Sequence, residues 1–133
     1  MAPTHPPFLG DLELAVMDHV WSRGPCDVKA CHLAVGGRRK ITHNTVQSTL
    51  ERLFRKGLLR REKVSHAFVY EAAQSREEYG AQVAEHVVST VVGNAAPATV
   101  LAAFVDLADR AGEENLARLE RLIAERRASK ERR

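Results

Sequence analysis

The chain has 133 residues and a mass of 14.8 kDa, which suits one compact domain or two very small ones. With 44% hydrophobic and 28% charged residues it has the means to bury a core, which excludes a wholly disordered tail. Its net charge of +3 hides an uneven distribution: residues 38–63 hold nine basic and two acidic side chains, a local +7 that points to a polyanionic partner.

In chain order, Met1-Ala-Pro-Thr-His-Pro-Pro-Phe8 has neither a charged start nor an apolar stretch, so residues 1–8 read as a disordered lead-in and not a signal peptide. Leu9, Leu12, Val16 and Val20 then recur at helical spacing, widened by Met17 and Trp21. Gly10 serves as N-cap of this first helix, with Glu13 as the returning half of a capping pair, and Ser22-Arg-Gly-Pro25 ends it. Asp27 is a good N-cap for a second, short helix through Val35, after which Gly36-Gly37-Arg-Arg-Lys40 reads as a flexible basic connection. Thr42 caps a third helix over His43 to Lys56, closed by Gly57 at C′, with Val46, Leu50, Leu53 and Phe54 as its apolar stripe. Three helices, the last two joined by a tight turn, form a helix-turn-helix pattern.

Leu58-Leu-Arg-Arg-Glu-Lys63 and Ala67-Phe-Val-Tyr-Glu71 read as two strands around Val64-Ser65-His66, with Phe68 and Tyr70 on one face and Val69 on the other. Such a hairpin is marginal alone and must pack on the helices; a basic hairpin after the third helix is a wing. Ser75-Arg-Glu-Glu78 is a capping box opening a helix to about Val92, striped by Tyr79, Val83, Val87 and Val91. His86 to Val105 carries no formally charged residue and is long enough to cross a bilayer, but Gly93-Asn94 and Pro97 break it. The segment therefore predicts two short helices meeting at a turn, with no membrane insertion. Val100, Leu101, Phe104, Val105 and Ala108 stripe the helix after Pro97, and Leu116, Leu119, Leu122 and Ile123 stripe a last one from Glu113 to Arg127.

The expected fold is thus mainly α with a small antiparallel β-hairpin. A winged helix-turn-helix domain over residues 9–74 is followed by a helical dimerisation region over 75–133. Val83, Val87, Val100, Leu101, Phe104, Val105, Leu116, Leu119, Leu122 and Ile123 are the candidates for the pairing surface, because helices so short cannot build a large core alone.

Viewed as a wheel, the third helix turns Val46, Leu50 and Leu53 inward and Asn44, Ser48, Glu51 and Arg55 outward, with Thr45, Gln47 and Arg52 on the flanks. Its outward N-terminal part is small, polar and uncharged, whereas its C-terminal half and the following strand are basic. That division suits major-groove docking, in which early residues of a recognition helix touch base edges and later ones hold phosphates. Asn44, Thr45, Gln47 and Ser48 are the candidate base readers; an amide such as Gln47 pairs with adenine, and the Thr45 methyl suits thymine. Thr42, His43, Arg52, Arg55, Lys56, Arg60, Lys63 and His66 are the candidate phosphate contacts, although Glu51 and Arg52 also fit a plain solvated face.

Other chemistries find little support. Cys26 and Cys31, five apart, form neither Cys-x-x-Cys nor a common ligand pair, and read as reduced, partly buried side chains of a cytoplasmic protein. The six histidines are scattered without zinc-ligand spacing, no nucleophile–base motif occurs, and Gly36-Gly37 lacks the Lys-Ser/Thr of a phosphate loop. The expectation is no metal, no cofactor and no enzymatic activity.

Thr45-Val46-Gln-Ser-Thr-Leu50-Glu-Arg52-Leu53-Phe-Arg-Lys56-Gly57-Leu58 resembles the recognition helix of the penicillinase-repressor (BlaI/MecI) family. Leu9-Gly-Asp-Leu-Glu13-x-x-Val16-Met17-x-x-Val20-Trp21 is similar to that family's first helix, and Phe68-Val-Tyr70 with Ser75-Arg-Glu-Glu78 to its wing strand and the entry to its C-terminal part. The resemblance covers residues 9–79 at matching spacing. It implies a winged-helix repressor of the β-lactam-resistance type that dimerises through C-terminal helices and binds an inverted-repeat operator in double-stranded DNA. It also implies a membrane sensor or protease that inactivates the repressor. Thr45, Gln47 and Ser48 fall where the family reads bases, and Arg60 and Lys63 in or beside the wing. The chain departs from the family at the wing turn, Ser65-His66 where Gly-Arg is common, in lacking an Asn-Phe bond (Phe104 follows Ala103), and in lacking C-terminal Cys-x-Cys pairs.

The sequence therefore predicts a cytoplasmic, homodimeric transcriptional repressor. A winged-helix protein–protein interaction module and a ligand-sensing winged-helix regulator are the alternatives.

Overall fold

Helix α1 (Asp11–Arg23) begins where Glu13 Oε1 accepts the Gly10 backbone N–H at 3.1 Å, one half of a capping box whose other half a glycine cannot supply. It ends at Gly24, which adopts φ +92. The computed structural model describes residues 6–91 and 98–132, apart from the side chains of Arg38 and Val91. The turn expected at Gly93-Asn94 and Pro97, the side chain of Val91 in the stripe expected after Ser75, and residues 1–5 of the lead-in lie outside what is described. Two compact units result, Met1–Val87 and Val88–Arg133.

In the first unit, Cys26–Asp27 forms a short strand, β1, which leads directly into α2 (Val28–Cys31); Asp27 Oδ1 caps the helix by accepting the Ala30 N–H at 2.8 Å. Contrary to the flexible connection expected at residues 36–40, the chain stays helical. A π-helical turn over His32–Gly36 passes into α3 (Gly37–Arg39), and only Lys40, at φ 53, breaks out. The reason is local packing at Gly36. The Ile41 N–H donates to the Gly36 carbonyl at 3.1 Å, and His32 Nε2 donates to the Ile41 carbonyl at 2.8 Å. A Cβ at position 36 would lie 2.4 Å from His32 Cδ2 and 3.1 Å from the Ile41 oxygen, so a larger residue there would push the His32 ring off the Ile41 carbonyl.

Helix α4 (His43–Arg55) is capped by Thr42, whose hydroxyl oxygen accepts the Thr45 N–H at 3.2 Å. It closes as the sequence predicts: Gly57 takes φ +83, the Gly57 N–H donates to Phe54 and the Leu58 N–H to Leu53, the two bonds of a Schellman motif. The wing strands are β2 (Leu59–Val64) and β3 (Ala67–Ala72), paired antiparallel from Leu59↔Ala72 to Val64↔Ala67. Ser65, at φ 60, turns the two-residue loop. The expected hairpin is in fact a three-stranded sheet of order β1-β3-β2, because Cys26 and Asp27 pair with Tyr70 and Val69. Two residues give no alternation, so this strand leaves no periodic signal in the sequence.

The core of this unit gathers Val16, Met17 and Val20 of α1, Cys31 and Val35, Val46, Leu50 and Leu53 of α4, and Leu58, Leu59 and Tyr70. Thr49 is also fully buried, its hydroxyl donating to the Thr45 carbonyl at 2.8 Å. Helix α5 (Arg76–Val91) opens with the complete capping box predicted: the Glu78 N–H donates to Ser75 Oγ and the Ser75 N–H to Glu78 Oε1. Its start is tied to α1 by Trp21 Nε1, which donates to the Gln74 carbonyl at 3.0 Å, and by the Trp21–Tyr79 ring contact. Within the lead-in expected over residues 1–8, Pro7 and Phe8 are attached to α5: the Tyr79 hydroxyl donates to the Pro7 carbonyl, and the Phe8 ring lies 6.1 Å from that of His86.

The second unit holds α6 (Ala98–Arg110) and α7 (Glu113–Glu131), which contact one another across Gly112 at φ +131. α7 runs four residues beyond the expected end at Arg127. No residue of α6 or α7 is buried. Among the described residues no helix is long and apolar enough to cross a membrane.

The joint between α1 and α4 is ionic. Glu13, with its side chain only 13% exposed, receives Lys56 Nζ at 2.7 Å and lies 3.7 Å from Arg52 Nε. Burial alone pushes its carboxyl upward; the hydrogen bonds from Lys56 and the Gly10 N–H and the charges of Lys56 and Arg52 outweigh this and hold it below the ordinary value. A carboxylate with a lowered folded pKa stabilises the fold above its unfolded pKa, and that contribution is lost as pH falls through the folded value. Thermal unfolding followed between about pH 7 and pH 3 should show a midpoint that drops below about pH 4.3, and the drop should be shallower in Glu13→Gln. An identical pH profile in the two proteins would contradict the joint.

Candidate nucleic-acid interface

Because Val46, Leu50 and Leu53 are fully buried, the opposite face of α4 is turned to solvent, and Asn44, Thr45, Gln47 and Ser48 are all exposed on it. Two of the four are already engaged by the helix. Ser48 Oγ donates to the Asn44 carbonyl at 2.9 Å, leaving only its lone pairs, and the Thr45 hydroxyl lies 3.0 Å from that of Thr42. Among the described residues the amides of Asn44 and Gln47 make no internal hydrogen bond. Each keeps two donors and an acceptor for an incoming edge. Thr42 and His43, both exposed, sit at the amino end of the same helix, and the His43 ring meets the His32 ring edge-on at 5.9 Å. The first turn also presents backbone N–H groups and the positive end of the helix dipole, which favour an anion such as a phosphate.

The cations divide into two groups. Arg55 is 77% exposed and only loosely paired with Glu51 at 3.4 Å, one turn back on the same helix. Arg52 is exposed beside the joint with Glu13, and Lys63 and His66 are exposed near the wing tip, where Lys63 makes no ion pair among the described residues. Arg52 and Arg55 continue α4 beyond its polar first turns, and Lys63 and His66 belong to the wing. Lys56 differs: its ammonium is turned inward to Glu13.

Arg60 is also set apart. Side chains alternate along a strand, so Leu59, Arg61 and Lys63 share the face of β2 that meets α4, while Arg60 and Glu62 take the other. Arg60 there pairs with its cross-strand partner Glu71 at 3.2 Å and lines a shallow hollow with Val20, Trp21, Ser75 and Glu78. The structure thus leaves Thr42, His43, Asn44, Thr45, Gln47, Ser48, Arg52 and Arg55 exposed along α4 and Lys63 and His66 exposed on the wing, while Lys56 is engaged with α1 and Arg60 lies on the opposite face of β2.

Two residues outside the candidate set shape this surface. Glu13 anchors the C-terminal end of α4, and Arg61 fills the crevice between α4 and the wing. In the sequence Glu13 is legible only as a cap, because Lys56 lies 43 residues away, and Arg61 only as one more basic residue, because its contacts join a strand to a helix across a turn and match no single period. Elsewhere, Cys26 and Cys31 are both free and buried; the Cys31 thiol donates to Cys26, which together with burial raises its pKa. No group of three or more metal-ligating side chains occurs among the described residues.

The candidate pairing residues lie as follows. Val83, Val100, Leu116 and Leu119 are half-buried, whereas Val87, Leu101, Phe104, Val105, Leu122 and Ile123 are exposed.

Comparison with known proteins agrees with this architecture. Residues 9–125 match the penicillinase repressor family. The chain is 36% identical over 118 residues to the transcriptional regulator BlaI of two strains of Mycobacterium tuberculosis, across 88% of this chain and 83% of those proteins. The solution structure of the DNA-binding domain of the repressor BlaI is similar at TM-score 0.52 and 26% identity, covering 59% of this chain and 94% of that domain. With a match that runs from the first residue of the α1 stripe well into α7, and with a winged helix-turn-helix built as described above, the chain belongs to the penicillinase repressor family.

Proposed function

We propose that this protein is a transcriptional repressor that binds an inverted-repeat operator as a homodimer, in the cytoplasm. The observation that carries the reading is the polar face of α4: uncharged, exposed, with two amides unengaged among the described residues, and followed along the helix by the exposed Arg52 and Arg55. A helix of this kind fits the major groove, where amides discriminate bases and flanking cations fix register on the phosphates. Membership of the penicillinase repressor family, and relatives named as transcriptional regulators, support the same conclusion. On this reading residues 9–74 read DNA and residues 75–133 pair two copies. Pairing is supported by the apolar residues of α6 and α7, none of them buried in the single chain. A two-fold dimer places two recognition helices on half-sites about 34–36 Å apart, or a multiple of that distance.

Binding measured by fluorescence anisotropy, on a genomic fragment selected by the protein and over a range of salt, separates the roles. Gln47→Ala should relax preference at a single base pair, losing about 1–3 kcal/mol of discrimination. Arg55→Ala should weaken binding to all sequences alike and reduce the salt slope by about one unit. Arg60→Ala, on the other face of the wing, should change the slope less. Unchanged affinity and preference in both Gln47→Ala and Arg55→Ala would contradict the reading. Sedimentation equilibrium of the full chain should give a dimer that Phe104→Asp dissociates; a strictly monomeric wild-type chain at high concentration would remove the dimer from the proposal.

A further inference from the structure

Arg61 is set apart from the other basic residues of this region. Its guanidinium carbon lies 4.0 Å from the centre of the Phe54 ring on α4 and 4.2 Å from the centre of the Phe68 ring on β3, so the planar group is held between two aromatic faces. Its Nη1 donates to Glu51 Oε2 of α4, and its side chain is only 22% exposed, against 65% for the neighbouring Arg60. Strand alternation accounts for the placement: Arg61 shares the helix-facing side of β2 with the buried Leu59, and lies opposite the buried Tyr70 on β3. One side chain therefore touches the recognition helix through Phe54 and Glu51 and the far wing strand through Phe68.

We infer that Arg61 is a positioning residue: it fixes the wing against α4, and so sets the distance between the base-reading face of the helix and the cations of the wing tip, without itself touching DNA. The inference rests on the DNA-binding reading for its consequence but not for the contact itself. A guanidinium suits the task where an ammonium does not, because it presents a flat, weakly hydrated face to each ring while its edge donates to a carboxylate. Glu51 contributes by taking Arg61 and, one turn on, Arg55, so the clamp and an exposed cation share one anion. Phe54 and Phe68 thereby acquire a role beyond the apolar stripe and the strand face to which the sequence assigns them.

The test compares the full chain with Arg61→Met, Arg61→Lys and Phe68→Leu, each verified as folded by circular dichroism. Hydrogen exchange and DNA affinity across salt are then measured. Phe68 is partly exposed, and its replacement keeps every charge, so that variant probes the clamp even where an Arg61 variant fails to fold. Amide exchange in β2 and β3 should quicken about tenfold or more in each variant, with Lys at position 61 giving little rescue. Affinity for the selected fragment should fall several-fold while the salt slope stays within error of wild type, unlike the loss of about one unit expected of a phosphate contact. Unchanged wing exchange would overturn the inference, as would a slope reduced by about one unit with exchange unaltered, which would make Arg61 a phosphate ligand. Should the wild-type chain show no preference for any DNA, the proposed function fails, while the exchange data still decide whether Arg61 holds the wing.

Discussion

The burial of one side of α4 is the constraint on which the remainder of the molecule depends. Val46, Leu50 and Leu53 have no exposed surface, and each such side chain contributes about 1.5–3 kcal/mol by leaving water. Rotating the helix to hide Asn44 or Gln47 would expose that stripe. The face that reads DNA in the proposed function is therefore selected by the core, not by any ligand. The same packing places the amino end of α4 at the surface, where Thr42 caps it and leaves the first turn open.

Charge performs two separate tasks around this helix. Glu13 with Lys56, and Glu51 with Arg61, join α4 to α1 and to the wing at partly buried positions, where ion pairs are screened less than at the surface. Arg55, Arg52 and Lys63 stay in solvent, where attraction to a phosphate backbone costs little internal contact. The local +7 over residues 38–63 is thus an upper limit on what faces a polyanion, since part of it serves the fold. In the proposed function this division is useful: the joints hold the winged helix together and the exposed cations supply the attraction to phosphates.

What was legible in the sequence follows the range of the interactions. The caps at Gly10–Glu13, Asp27, Thr42 and Ser75–Glu78, and the Schellman stop at Gly57, span three to five residues and were readable because both partners sit in one short window. The inward stripe of α4 was readable from its period. The continuous helical run through Gly36 was not, because two adjacent glycines signal a turn until His32 and Ile41 are seen to close around the first of them. The strand at Cys26–Asp27 is too short to alternate, and the partners of Glu13, Arg60 and Arg61 are set by tertiary packing. In the candidate site, the exposure of Asn44, Thr45, Gln47 and Ser48 was legible and the sorting of the cations was not.

The two units carry different kinds of surface: a polar, cation-bordered one around α4, and an apolar one on α6 and α7. Together they support the proposed function, in which a paired protein reads a short site twice. Dimethyl sulfate footprinting of the full chain on a genomic fragment it has selected tests this most directly, because it reports guanine N7 in the major groove. The account predicts two protected patches in the major groove, related by the symmetry of the sequence and centred about 10–10.5 base pairs apart or a multiple of that. Protection confined to the minor groove, or a pattern that does not depend on sequence, would contradict it.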